Sequence, residues 1–300
     1  MNRPDISICM ITYKQEAYIG QAIESILSQR TSFTYQLVIG EDCSPDATRS
    51  ICEQYAAQYP DKIILLPSRQ NLGVVPNFMR TLDACTGKYI ALCEGDDYWI
   101  AADKLQLQVE FLNAHPEYVL VAGRSAYLDY KGNTTVRDER INPQQTDFSA
   151  ADYLLKMFFE TATIVYRNDP AFRLPASYKN VFSADQYLVL LLTMNGGKIK
   201  YLDKDLAVYR YHAGGITKQT NRQTVLKRLF EMLDMFNEVS GGRFAPLIEQ
   251  RKKITLLSWN RHLMKYPAKT FFILNNIGAA IKYRKYIPFG FKTFIQYLLP

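Results

Sequence analysis

The sequence predicts an α/β fold built on a largely parallel sheet, and three observations predict it. Four short apolar runs, at residues 6–13 (ISICMITY), 35–42 (YQLVIGED), 62–66 (KIILL) and 88–93 (KYIALC), alternate with stretches of helical periodicity. Strands joined by helices run parallel and need cover on both faces, which suits runs this continuously apolar. The second and fourth runs each end in acids, GEDCSPD and CEGDDYW. In such sheets ligands bind beyond the carboxyl ends of the strands, so two acidic clusters about fifty residues apart should face one crevice.

Each element has its own signature. After the first run, Ile19, Ala22, Ile23, Ile26 and Leu27 recur at helical spacing. CSPDAT is a turn-and-cap composition, and Ile51, Cys52, Tyr55, Ala56 and Tyr59 then share one helical face. NLGVVPNFMRTLDAC reads as a loop and helix before the fourth strand, and KLQLQVEFLNAH as a helix after it. Beyond that the pattern changes. EYVLVAG and SAYLDYKGN read as two strands, and VRDERINPQQTDF as a long polar loop. SAADYLLKMFF opens with Ser149 and, three residues on, Asp152, a capping pattern. TATIVYRN reads as a strand, SADQYLVLLLTMNGG as a buried helix closed by glycine, and KIKYLDKDLAVYRYHAGG as two short strands. The remainder, from about Thr217, is helical in pattern and basic.

Composition excludes several classes. No run approaches the ~18–20 apolar residues that span a bilayer, and MNRPDISICMITY lacks the charged and apolar regions of a signal peptide. The five cysteines (Cys9, Cys43, Cys52, Cys85, Cys93) are odd in number and contain no C-x-x-C, so a reducing cytosol is expected, with most of them, inside strand or helix patterns, as small core residues. Charge is unevenly placed. The chain has 36 Lys+Arg and 29 Asp+Glu; residues 243–300 hold 11 of the former and only Glu249 of the latter, which leaves 25 against 28 elsewhere. The tail interleaves basic residues with aromatics (WNRHLMKYPAKTFF, IKYRKYIPFGFKTF), a pattern that suits an anionic membrane surface or simply a charged helical face. Nucleic acid ranks last as a partner, because the front of the chain is not basic and no recognised motif appears.

Glu94, Asp96 and Asp97 are the first candidates for chemistry. Hard cations such as Mg²⁺ or Mn²⁺ take one or two carboxylates plus substrate phosphates. A solvated turn would have the same composition; placement directly after a buried strand sets a site beside that reading on equal terms. Asp185, at the start of its helix, reads from its position as an acid that complements the helix dipole and the free N–H groups of the first turn. His115 and His262 read as structural. His212 differs because it precedes Gly-Gly, a backbone able to approach a phosphate closely.

Taken in order and spacing, ISICMITYKQEAYIGQAIESILSQ, LVIGEDCSPDAT, NLGVVPNF and GKYIALCEGDDYW…KLQLQ resemble the inverting family 2 glycosyltransferases with a GT-A fold, over roughly residues 6–215. The resemblance implies a catalytic domain at 1–216, with a nucleotide-sugar half (1–100) and an acceptor half (101–216), followed by a helical basic appendage at 217–300. It implies that Thr12 and Tyr13 border the nucleotide pocket and that Glu41 and Asp42 form the acidic pair that contacts the base. Glu41 stands where the family usually has Asp, and its longer side chain would shift or weaken that contact. Glu94-Gly95-Asp96 matches the D-x-D element, with Glu94 toward ribose and Asp96 toward Mn²⁺ or Mg²⁺; Asp97 orients them. His212 would join Asp96 at the cation or diphosphate, and Asp185 would take the proton from the acceptor hydroxyl. The implied activity is inverting transfer of a hexosyl or N-acetylhexosaminyl group, from a UDP-sugar above all, to a lipid-linked or polysaccharide acceptor. The implied location is the cytoplasm, peripheral on the inner face of the plasma membrane. Two other enzyme classes fit less well: a sugar-phosphate nucleotidyltransferase would show a Gly-rich N-terminal phosphate loop with Arg, and a dinucleotide oxidoreductase would show G-x-G-x-x-G. A non-catalytic nucleotide-sugar-binding protein on the same fold is kept open by Glu41 and Glu94.

Overall fold

The computed structural model describes residues 3–136, 145–212, 214–215 and 222–264. Its front half alternates as the pattern requires: β1 (Ile6–Thr12), α1 (Ile19–Leu27), β2 (Tyr35–Glu41), α2 (Thr48–Gln58), β3 (Ile63–Leu65), α3 (Val74–Asp83) and β4 (Tyr89–Leu92). There follow β5 (Tyr98–Trp99), α4 (Lys104–Ala114), β6 (Tyr118–Leu128), β7 (Thr134–Val136), β8 (Asp147–Phe148), α5 (Ala150–Lys156), β9 (Val165–Arg167), α6 (Ala184–Thr193) and β10 (Lys198–Arg210). Two helices, α7 (Arg222–Val239) and α8 (Ala245–Met264), close the described chain. None of its described helices is long and apolar enough to cross a membrane.

One sheet runs β3-β2-β1-β4-β9-β6-β10-β5, with β7 beside β6 and β8 beside β10. β3, β2, β1 and β4 are mutually parallel, as are β6 and β10; β9 and β5 run against their neighbours. Six of the eight strands on this path therefore point one way, and their carboxyl ends open on one edge. This is an α/β GT-A-like fold with a mostly parallel central sheet flanked by helices.

Alternation along β1 explains the two-sided cover. Ile6, Ile8 and Met10 point into one layer with Ile19, Ala22, Ile23 and Ile26 of α1 and Leu105, Val109 and Leu112 of α4. Cys9 points into the other, which holds Phe78 and Leu82 of α3, Leu188 to Leu191 of α6, and Phe230, Leu233, Phe236 and Ile248 of the last two helices. Each fully buried aliphatic side chain contributes roughly 1.5–3 kcal/mol. Helices α7 and α8 thus complete the core over α5 and α6. The basic, aromatic segment expected at a membrane surface lies mostly in residues 265–300, outside the described residues.

Local readings hold at several points and fail at others for identifiable reasons. The capping box at Ser149 and Asp152 is present, each side chain bonded to the other's backbone N–H. The two strands expected around Gly123 are one, β6. Gly123 is no break; a Cβ there would sit 2.6 Å from Leu206 Cδ1, so the missing side chain admits β10 closely. β10 likewise runs through Asp203 and Lys204 as one strand, absorbing the irregularity in register shifts near Leu202, Asp205 and Ala207. The front of TATIVYRN is not strand but a 3-10 turn at Thr161–Thr163.

Candidate functional site

The site grows from the carboxyl end of β1, which lies between β2 and β4. Asp42 N–H donates to the Thr12 carbonyl (3.1 Å) and Gly95 N–H to the Ile11 carbonyl (3.0 Å), so both acidic loops are tied to one strand end. Close approach dictates the small residue in Glu94-Gly95-Asp96: a Cβ on Gly95 would lie 2.6 Å from Thr12 Oγ1 and Gln15 Oε1. The loops after β1 and β2 are also joined, with Lys14 N–H donating to Ser44 Oγ (3.0 Å) and Gln15 N–H to Thr48 Oγ1 (2.8 Å). Lys14 and Cys43 both adopt left-handed backbone there, φ 56° and 60°, a conformation that costs a side-chain-bearing residue on the order of 1–2 kcal/mol. Tyr13 is 40% exposed at this edge, beside the buried Thr12.

Glu41 and Asp42 are both buried, and backbone amides occupy them. Glu41 accepts from Ser44 N–H (2.6 Å) and Cys43 N–H (3.2 Å), with Arg49 at 3.7 Å. Asp42 accepts from Leu72 N–H (2.8 Å) and Gly73 N–H (2.9 Å), which anchors the loop ahead of α3.

The second acidic loop is spread by its bonds. Asp96 Oδ2 lies 2.9 Å from His212 Nε2, a pairing across 116 positions of sequence. Asp97 is buried and accepts the Arg210 N–H at 2.9 Å. Burial, then Asp96 and Glu94, push its carboxyl well above the usual range. Arg210 locks the loop from beneath: its guanidinium donates to the Asp96 carbonyl (2.6 Å) and to Gln21 Oε1, between the rings of Tyr18 and Tyr98 at 5.0 and 4.6 Å. Tyr18 also packs on the His212 ring, centroids 4.9 Å apart.

Glu94 points the other way. Its Oε2 is buried without a hydrogen-bond partner, above a cavity of about 10 Å³ lined by Cys9, Phe78, Leu92 and Thr161 among others. Burial, then Asp185 and Asp96, raise its pKa to about 8. Asp185 reaches this place from α6. Its Oδ2 accepts from Thr161 Oγ1 (2.9 Å) and its Oδ1 from Ser183 Oγ (2.7 Å). Glu160, next to Thr161, accepts from the Tyr127 hydroxyl; burial and then Asp185 raise its pKa to about 7.

The structure therefore gathers Glu94, Asp96, Asp97, Asp185 and His212 at the sheet's carboxyl edge. It attaches Thr12 to the same edge and turns the Glu41 and Asp42 carboxylates into neighbouring backbone. Glu160 and Thr161 join the site without a local sequence signal, since only the fold brings β9's preceding turn beside β4; Ser183 joins it as the neighbour of Asp185 two positions on. His115, read as structural, stacks on Phe111 (4.1 Å); the side chain of His262 lies outside the described residues.

For a divalent cation, the donor set fits in kind: a carboxylate and an imidazole in contact, with an unpartnered buried carboxylate oxygen nearby. Among the described residues no three His, Cys, Asp or Glu side chains converge as a complete cation site. Asp96 and His212 offer two donor atoms in contact, fewer than the six that Mg²⁺ takes.

Comparison with known proteins agrees with this architecture. The pattern of glycosyl transferase family 2 matches residues 7–172. An uncharacterized protein of Mycobacterium tuberculosis (strain ATCC 25618 / H37Rv) is 39% identical over 214 residues, spanning 70% of this chain and 60% of that relative's length. Among solved structures, S. aureus TarS 1-349 in complex with UDP superposes with a TM-score of 0.59 at 19% identity, over 86% of this chain and 71% of that one. The mannosyltransferase PcManGT from Pyrobaculum calidifontis, in complex with GDP-Man and Mn²⁺, gives 0.59 at 16% identity over 100% and 86%. The family pattern covers more than half of the sequence, and the chain belongs to glycosyl transferase family 2.

Proposed function

We propose that this protein moves a sugar from a nucleoside-diphosphate donor, a UDP-sugar in the first instance, to a hydroxyl of a glycan or lipid-linked acceptor, with inversion at the anomeric carbon. One observation carries the reading: Thr161, which lines the cavity beside Glu94 of the loop after β4, donates to Asp185 of α6, so the two carboxylates share one neighbourhood at the carboxyl edge of the sheet. A donor-side group and an acceptor-side base then flank a single crevice, as an in-line displacement requires.

Asp96 and His212 would hold Mn²⁺ or Mg²⁺, which supplies charge neutralisation to a departing diphosphate when bound. Thr12, Tyr13, Glu41, Asp42 and Glu94 border the nucleotide, with Asp97 and Arg210 fixing the loop. The backbone bonds that occupy Glu41 and Asp42 assign them first to shaping that wall. Asp185 takes the proton from the acceptor hydroxyl as it attacks. The two known structures bound to UDP and to GDP-Man with Mn²⁺ support a nucleotide donor and leave the base to be tested.

Calorimetric titration of UDP, with Mn²⁺ and with EDTA, tests this on wild type and Asp96→Asn. Metal-dependent binding in wild type and its loss in the variant are expected. Equal binding without metal would remove the cation from the reaction, and Asp185→Asn should then abolish turnover of any UDP-sugar that wild type consumes.

A further inference from the structure

We infer that Thr161 is a positioning residue: with Ser183 it holds the Asp185 carboxylate at a fixed distance from the donor-side acids. The inference rests on the transferase reading of Asp185. It starts from how fully the segment bearing Thr161 is pinned. Every backbone carbonyl from Glu160 to Ile164 accepts a hydrogen bond. Glu160 O takes the Thr163 N–H (3.0 Å) and hydroxyl (2.7 Å), and Thr161 O takes the Ile164 N–H (3.0 Å). Ala162 O takes the Trp99 indole N–H (2.8 Å), Thr163 O the Gln108 amide (2.8 Å), and Ile164 O the Leu92 N–H (3.1 Å).

Three of those donors belong to β4, β5 and α4, the elements that carry and flank the loop of Glu94 to Asp97. Ala162 and Thr163 are buried, and so are Trp99 and Gln108. The turn is therefore a strut from the donor loop, and short buried hydrogen bonds of this density leave it little freedom. The Thr161 hydroxyl does not help hold the strut; it is spent on Asp185 Oδ2 at 2.9 Å. Thr161 also lines the cavity with Glu94 and acts on that carboxylate as a hydrogen-bond partner, so its hydroxyl stands between the donor-side acid and Asp185 Oδ2, 2.9 Å away.

Ser183 supplies the second observation. It occupies the N-cap of α6, where a serine hydroxyl ordinarily accepts a backbone N–H of the first turn. Here it makes no capping bond, and its hydroxyl donates to Asp185 Oδ1 at 2.7 Å. A helix start that forgoes its cap to orient a carboxylate is a local rule broken at a functional site. With one hydroxyl on each oxygen, the carboxylate plane is set, and a remaining lone pair is aimed rather than rotating.

The test compares Thr161→Val, Thr161→Ser and Ser183→Ala with wild type, following UDP release from UDP-glucose, UDP-galactose and UDP-N-acetylglucosamine with water as acceptor. Thr161→Val should lower kcat by about 10- to 100-fold, the scale of a displaced catalytic group, with KM for the donor unchanged. Thr161→Ser should stay within about threefold of wild type, because it keeps the hydroxyl. If Thr161→Val proves unfolded by circular dichroism, Ser183→Ala carries the test and should show the same loss in kcat alone. A kcat for the folded Thr161→Val (or, failing that, Ser183→Ala) equal to wild type overturns the inference. So does a serine variant as impaired as the valine variant, which would assign the effect to the methyl group. A wild type that binds UDP but releases none from any donor overturns the transferase reading and this inference together, whereas a fault confined to the variants is read against a working wild type.

Discussion

Lys104 is fully buried in the wall behind the acidic loop, with no hydrogen-bond partner for Nζ and the Trp99 ring centroid 4.2 Å away. Burial lowers its pKa from 10.5 to about 7, slightly opposed by Cys93. At about 1.4 kcal/mol per unit, that displacement is a burial cost on the order of 5 kcal/mol for the charged amine. Lys104→Met keeps the unbranched stem and removes the charge, so it should stabilise the protein by an amount of that order at pH 6, or about 8 °C in Tm at roughly 2.1 cal/mol/K of unfolding entropy per residue. The pH dependence has a definite sign. Below the folded pKa both states are protonated and the penalty is complete. Between about pH 7 and 10.5 the unfolded chain keeps a proton the folded chain has shed, so wild type gains stability as pH rises. Urea unfolding followed by circular dichroism at pH 6, 7.5 and 9.5 measures both curves, and groups common to the two proteins cancel. A methionine variant less stable at pH 6, or an advantage that does not shrink by pH 9.5, would refute the account of an unpaired buried amine.

Two further substitutions probe how the site is supported. Gly95→Ala places a Cβ 2.6 Å from Thr12 Oγ1 and Gln15 Oε1; it should cost about 1–3 kcal/mol of stability, as overpacking does, and weaken UDP at least tenfold in calorimetry. Unchanged UDP affinity would show that the loop has room the geometry denies it. Ser149→Ala removes one half of the capping box of α5 and should lower stability by about 1 kcal/mol while leaving UDP binding as it is; both are read from urea melts and titration of the same preparation.

Much of this protein was legible in local pattern, because β1 to β4, the helices between them and α4 follow the periodicity, with Ile64 of β3 and the buried Lys104 and Gln108 of α4 as exceptions. β1 to β4 with their helices bury both faces, and a chain that must do so writes continuous apolar strands and amphipathic helices into its sequence. The second half was read less well where long-range packing overrides local signals. Gly123 looks like a strand break and is a contact with Leu206; Thr161–Thr163 has strand composition and is held as a turn by Trp99, Gln108 and its own backbone bonds.

The candidate site divides along the same line. Sequence by itself determined that acids cluster at the ends of β2 and β4, that Asp185 begins a helix, and that His212 follows the last strand, since residue type and its place along an element are local facts. Tertiary structure decided what those residues do. It set His212 against Asp96 across 116 positions, turned Asp42 onto the backbone amides of Leu72 and Gly73, left one Glu94 oxygen buried without a partner, and brought Thr161 to Asp185. A hydrogen bond acts over about 3 Å, and only the closed sheet brings strands distant in sequence that near.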